Sequence, residues 1–152
     1  MTGPAAGSGR VAPEETVEAL RERVDAALVR VLDREGGDRD DGALEAVRHA
    51  VLGPGKRIRP LLLLGAHRSA GGSPSDAAAE LACSVELVHA YSLAHDDLPC
   101  MDDDVLRRGE PTLHVRFGVE VATLAGAALM PLAARVVWRA GAELGLDGAD
   151  RG

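Results

Sequence analysis

Apolar residues recur at three- and four-residue intervals through most of the chain, and short polar runs separate the recurrences. Val17, Leu20, Val24, Leu28 and Val31 form one series, which predicts an amphipathic helix opening at Pro13-Glu14-Glu15. The polar residues 36–42 predict a loop, and residues 43–52 a short helix that stops at Gly53-Pro54-Gly55. Ile58-Arg59-Pro60 opens a third helix with residues 61–64, all leucine, as its apolar entry; Ser69-Ala70-Gly71-Gly72 closes it. Leu81, Val85, Val88, Tyr91 and Leu98 then predict a long helix over residues 73–98, with Ser73 as N-cap and Pro74 in the first helical position. Such a helix would run about 39 Å, the width of a whole domain. Residues 114–118 read as a turn or short helix. Residues 120–144 are strongly apolar with a helical period, and Pro131 is expected to kink or break them. The pattern predicts an all-α helical bundle over residues 13–146, a disordered start at 1–12 and a polar tail at 147–152. Strand-favouring runs and internal repeats are absent from it.

Composition sharpens this reading. With 152 residues the chain is one domain at most, or part of one. Hydrophobic residues make up 46% but aromatic ones only 2%, so the core must be Leu, Ala and Val, which favours helices. A net charge of -7 argues against nonspecific nucleic-acid binding, but not against an anionic substrate, for which local charge matters. Cys83 and Cys100 do not suggest a disulfide framework, and a reducing cytoplasm fits them. No signal-peptide core is visible, and no apolar run is expected to reach membrane-spanning length.

Chemistry concentrates in one stretch. His89, Ser92 and Asp96 stack at helical spacing and share a polar stripe on an otherwise apolar helix, which suggests a lined cavity. Asp96, Asp97, Asp102, Asp103 and Asp104 then place five carboxylates within nine residues, and Arg107 and Arg108 follow. Asp96 and Asp97 near a helix C-terminus oppose its dipole unless a cation compensates. Oxygen donors of this kind suit Mg²⁺, which takes one or two carboxylates and leaves other positions to water and phosphate oxygens. On an ideal helix Asp96 and Asp102 lie about 120° apart, so they share a metal only if the backbone deforms at Pro99. The forked guanidinium groups of Arg107 and Arg108 suit phosphate. Upstream, Lys56 is the only lysine of the chain, and Lys56, Arg57 and Arg59 crowd a helix N-terminus. That is unfavourable unless an anion is held there. Arg57 is expected to face solvent, His49 to be a surface or packing residue and His67 to be solvated. His95 points off the polar stripe.

The run Asp96-Asp97-Leu98-Pro99-Cys100-Met101-Asp102, continued by Asp103-Asp104-Val105-Leu106-Arg107-Arg108-Gly109-Glu110-Pro111-Thr112, resembles the first aspartate-rich motif of the trans-prenyl diphosphate synthases. It looks like the bacterial farnesyl and geranylgeranyl diphosphate synthase branch, with two extra residues inside the motif. Gly55-Lys56-Arg57-Ile58-Arg59-Pro60 is similar to that family's upstream basic box, and His114 to Gly118 and Leu124-Ala125-Gly126 continue the likeness. The resemblance implies the N-terminal portion of the isoprenoid synthase fold. It implies condensation of isopentenyl diphosphate with an allylic diphosphate, with Mg²⁺ as cofactor. Asp96 and Asp102 would be the metal ligands and, with Arg107 on the allylic diphosphate, the catalytic set. Lys56, Arg59, His89 and Arg108 would hold isopentenyl diphosphate, and Tyr91 and Ser92 would limit chain length. Tyr91 argues for a farnesyl product; Pro99-Cys100 resembles geranylgeranyl-type members.

Two departures from the family stand out. Ala127 occupies a position where the family usually has aspartate. No second Asp-Asp-x-x-Asp occurs, although the family carries one far downstream. The expectation is therefore a fragment, a truncated product or a subunit, assembling as a homodimer or as a heterodimer with a complete synthase. The competing reading is an inactive binding or regulatory subunit. A helical protein whose acidic loop merely binds divalent ions is a third, and the basic box counts against it.

Overall fold

A computed structural model describes residues 15–36 and 42–146. The expected disordered start, the polar tail and most of the loop at 36–42 lie outside the described residues. The elements are α1 (Val17–Gly36), α2 (Gly42–Leu52), α3 (Ile58–Ser69), α4 (Asp76–Asp96), β1 (Leu106–Arg107), β2 (Glu110–Pro111), α5 (Leu113–Phe117) and α6 (Val119–Glu143). The architecture is all-α apart from the tiny hairpin, which the sequence pattern did not predict.

Helix α4 is the axis of the bundle and packs against α1, α2, α3 and α6. The side chains that make its periodic pattern are not the ones it buries. Leu81 and Val85 are half-buried, and Val88 is 42% exposed. Ala79, Cys83, Leu87, Ala90 and Ala94 are buried instead. Small residues let neighbouring helices approach closely, so the core is filled from the partners' side: Leu28 and Leu32 of α1, Val51 of α2, Leu129 and Val136 of α6. Ion pairs close the seam outside this core. Arg34 of α1 donates to Glu80 of α4 (3.2 Å), and Glu35 of α1 meets Arg135 and Arg139 of α6.

Helix α4 begins later than expected. Ser75, not Ser73, caps it, accepting from the Ala78 N–H at 3.0 Å. The His67 ring lies over Gly72 and pairs with the Ser73 carbonyl at 3.2 Å, which keeps Ser73 in the incoming loop. His67 is thus a loop-holding residue rather than a solvated one. The helix also stops at Asp96, short of the expected Leu98, because Pro99 cannot continue it. A kinked continuation is replaced by a full turn back, closed by Met101 N–H to Leu98 O (2.8 Å) and Asp102 N–H to Asp96 O (2.8 Å).

Pro131 does not divide α6, which runs unbroken for 25 residues. The missing N–H falls on the exposed side, where Ala127 and Pro131 both face outward and water can take the freed carbonyl. By length and composition alone α6 could cross a membrane, contrary to expectation, with a mean hydropathy of 1.6 over its most apolar stretch. Its inner face packs on α4, α2 and α5. Its outer face shows Leu124 (64% exposed), Met130 and Trp138.

Candidate functional site

The basic box sits where α2 hands the chain to α3 through Gly53-Pro54-Gly55. Lys56 and Arg59 are exposed, but Arg57 between them is buried, with 7% of its surface accessible. This corrects the expectation that Arg57 faces solvent. Its Nε donates to Asp25 Oδ1 of α1 (2.8 Å), Nη1 to Glu86 Oε1 of α4 (3.1 Å) and Nη2 to the Gly53 carbonyl (3.0 Å). Burial works against its charge, but the bonds to Asp25 and Glu86 outweigh that and raise its pKa further. Arg57 also has a left-handed backbone, φ 52° and ψ 32°, which L residues seldom adopt.

A second guanidinium closes on the same loop. Arg108 and Gly109 are the two central residues of the β1–β2 hairpin, and both have positive φ, as a two-residue hairpin turn of this hand requires. The turn aims Arg108 across the molecule, where Nη1 donates to the Pro54 carbonyl at 2.6 Å. A Cβ on Gly55 would lie 2.9 Å from Arg108 Nη1 and 3.0 Å from Arg57 Nη1, so glycine is what lets both close in.

Lys56, Arg59, His89 and Arg108 line one hollow of ≈ 440 Å³. These are the four residues expected to share an anion. His89 is held below its ordinary pKa, first by burial and then by repulsion from Arg59, Arg108 and Arg107, with Glu86 pulling the other way. A smaller cavity of ≈ 100 Å³ shares Arg57, Glu86, His89 and Arg108 and extends to Asp97 and Arg107. Asp97 is 5% exposed. It accepts from Arg107 Nε at 2.7 and 3.0 Å, while Arg107 Nη2 also reaches Asp104 (3.2 Å). The bond to Asp97 is the main reason the Arg107 pKa rises.

Two of the five clustered carboxylates therefore hold Arg107. Asp96 and Asp102 make no ion pair among the described residues, and the turn at Pro99 brings their backbones together through the Asp102 N–H to Asp96 O bond. Asp96 is half-buried and Asp102 exposed; neither lines the two hollows above. Among the described residues no three His, Cys, Asp or Glu side chains converge into a ready metal cage. As hard oxygen donors, Asp96 and Asp102 would suit Mg²⁺ rather than a metal enclosed by protein, because Mg²⁺ needs only one or two carboxylates and leaves its other positions to water or substrate oxygens.

The remaining candidates lie nearby. Ser92 Oγ donates to the His89 carbonyl (2.9 Å), and Tyr91 stacks edge-on against His95 with ring centroids 4.8 Å apart. Neither lines the two hollows. His95 fits over Gly126 of α6 and pairs with the Thr123 carbonyl at 3.1 Å, so it joins helices. His49 packs edge-on against Phe117, as a packing histidine would. Cys83 is buried against the Ala79 carbonyl, and burial pushes its thiol up to about 12. Cys100 is exposed in the acidic turn. Sequence reasoning missed Asp25 and Glu86. Glu86 left a signal, a carboxylate one turn before His89 on a largely apolar helix.

The sequence model of the polyprenyl synthetase family matches residues 41–145. A geranylgeranyl diphosphate synthase of Pantoea ananas is 48% identical over 124 residues, which cover 81% of this chain and 40% of that protein. A probable farnesyl diphosphate synthase of Bradyrhizobium diazoefficiens is 47% identical over 80% of this chain and 36% of its own length. Among solved structures, a geranyltransferase of Legionella pneumophila superposes with a TM-score of 0.78 at 33% identity, over 88% of this chain and 45% of that one. An apo FPP/GFPP synthase of Zymomonas mobilis gives 0.69 at 38% identity, over 80% of this chain and 44% of that one. The chain spans less than half the length of each.

Proposed function

The chain belongs to the polyprenyl synthetase family, and on that premise we propose that it carries the isopentenyl diphosphate site and the first metal site of a short-chain prenyl diphosphate synthase. The observation that supports this most is the shared hollow: Lys56, Arg59, His89 and Arg108 come from a loop, two helices and a hairpin and still line one space. Three of them carry fixed positive charge, and a diphosphate there would meet the N-terminus of α3 as well. Arg107 would contact the diphosphate of the allylic substrate, oriented for it by Asp97. Asp96 and Asp102 would hold Mg²⁺, whose chemistry is to neutralise charge growing on the departing diphosphate. The allylic carbon would then be attacked by the double bond of isopentenyl diphosphate, and loss of a proton would leave a chain one isoprene unit longer. Tyr91 and Ser92, one turn before Asp96, would limit that chain, with farnesyl the favoured product over geranylgeranyl. The free thiols of Cys83 and Cys100 suit a cytoplasmic setting.

A second reading draws on the apolar side chains that α3, α4 and α6 leave exposed: Leu62, Val88 and Leu124. They fit a subunit that binds substrate and pairs with another copy or with a complete synthase, which would supply the opposite wall of the metal site. Incubating the purified chain with isopentenyl diphosphate, geranyl diphosphate and Mg²⁺ separates the two. Product formed without a partner supports the enzyme; saturable isopentenyl diphosphate binding without turnover supports the subunit. Absence of both refutes the diphosphate site.

A further inference from the structure

Lys56 and Arg59 sit on a turn that nothing of their own chemistry would hold in place. Both are exposed, both are long and positively charged, and α3 begins without any side-chain cap. The residue between them is the fixed one. Arg57 is buried, bonded to two carboxylates and one carbonyl, and held in a left-handed conformation. That backbone turn separates neighbouring side chains, so Arg57 points inward while Lys56 remains outside. Its buried partner Glu86 stands three residues before His89 on α4, within one helical turn. The Arg57–Glu86 bond therefore sets the distance from the Lys56/Arg59 turn to the His89 wall of the hollow.

We propose that Arg57, clamped by Glu86 and Asp25 at the wall of this hollow, is the positioning residue of the anion site: its guanidinium is spent on the clamp, and the clamp fixes Lys56 and Arg59 opposite His89. The inference rests on the reading of these residues as a diphosphate site. The Gly53 carbonyl, also held by Arg57, lies next to the Pro54 carbonyl held by Arg108. One guanidinium thus grips the loop from the helix side and the other from the hairpin side. Gly55, with no Cβ between them, is where the two grips meet.

The test compares variants of the full 152-residue chain for binding of inorganic pyrophosphate by calorimetry, with thermal melting followed alongside. Arg57→Gly accommodates the left-handed backbone but removes the clamp. It should weaken pyrophosphate binding about tenfold or more, as displacement of binding groups does. Arg34→Met breaks a comparable ion pair, that to buried Glu80, away from the hollow. It should lower the melting temperature and leave pyrophosphate affinity unchanged. Arg57→Gly binding within about twofold of the wild type overturns the proposal, as does an equal loss in Arg34→Met. Asp25→Asn, at the half-exposed end of the clamp, leaves the guanidinium in the hollow and loosens only its hold, so it separates positioning from direct contact and decides also if Arg57→Gly does not fold. Weakened binding supports positioning, and unchanged affinity overturns it. A wild-type chain that binds no pyrophosphate refutes the diphosphate site itself, and this inference falls with it.

Discussion

His89 enters the hollow against the tendency of its own charge. Burial and three arginines disfavour its protonation, so the folded chain holds its pKa below that of a free imidazole. The sign of the stability effect follows: its contribution is present above the ordinary value of 6.5 and is lost as pH falls through the lower folded value. A bound diphosphate reverses the local field, so binding should draw a proton onto His89 and tighten as pH falls from 8 toward 6. NMR titration of the His89 ring should show its pKa rising with pyrophosphate; an unmoved pKa would remove His89 from the anion site. Asp96→Ala should weaken the Mg²⁺-dependent part of pyrophosphate binding by at least about tenfold, since even outer-shell partners of a metal are worth that much. Equal calorimetric titrations with and without Mg²⁺ in the wild type would reject the metal assignment. At this scale the sequence showed the exposed charges well, because they fall in two dense local runs. The clamp beneath them was not legible. Arg57 reaches partners 32 and 29 residues away, and no local spacing encodes such a pair.

Helix order and type were legible because the 3.6-residue period persists through every long segment. Which face turns inward was harder. Period reports large apolar side chains, whereas α4 buries alanines and leaves Val88 outside. The β1–β2 hairpin was invisible for a related reason: two-residue strands have no alternation to detect. Close packing of α4 on α6 gives a direct test. A Cβ on Gly126 would meet the His95 ring at 2.5 Å, so Gly126→Val must push His95 off the Thr123 carbonyl. Urea unfolding should show a loss of about 1–3 kcal/mol, the usual cost of overpacking a core. A neutral result would mean that the seam has slack the geometry does not show.

For the molecule as a whole, the outer side of α6 matters most. Leu124 is 64% exposed, and Met130 lies on the same helix at 42%. Surfaces of this kind drive association in water. Sedimentation at micromolar concentration should find the chain self-associated, and Leu124→Glu with Met130→Glu should return it to a single copy while leaving its helical content intact. A wild-type chain that sediments as one copy would leave that face without a partner of its own kind.

The two cysteines differ sharply in setting: one is sealed among α4's alanines with its thiol pushed up to about 12, and the other is open in the acidic turn. The protein therefore carries its own unfolding gauge. A maleimide dye should tag Cys100 within seconds and Cys83 only as fast as the bundle opens, so the lag between first and second label is a clock for the core.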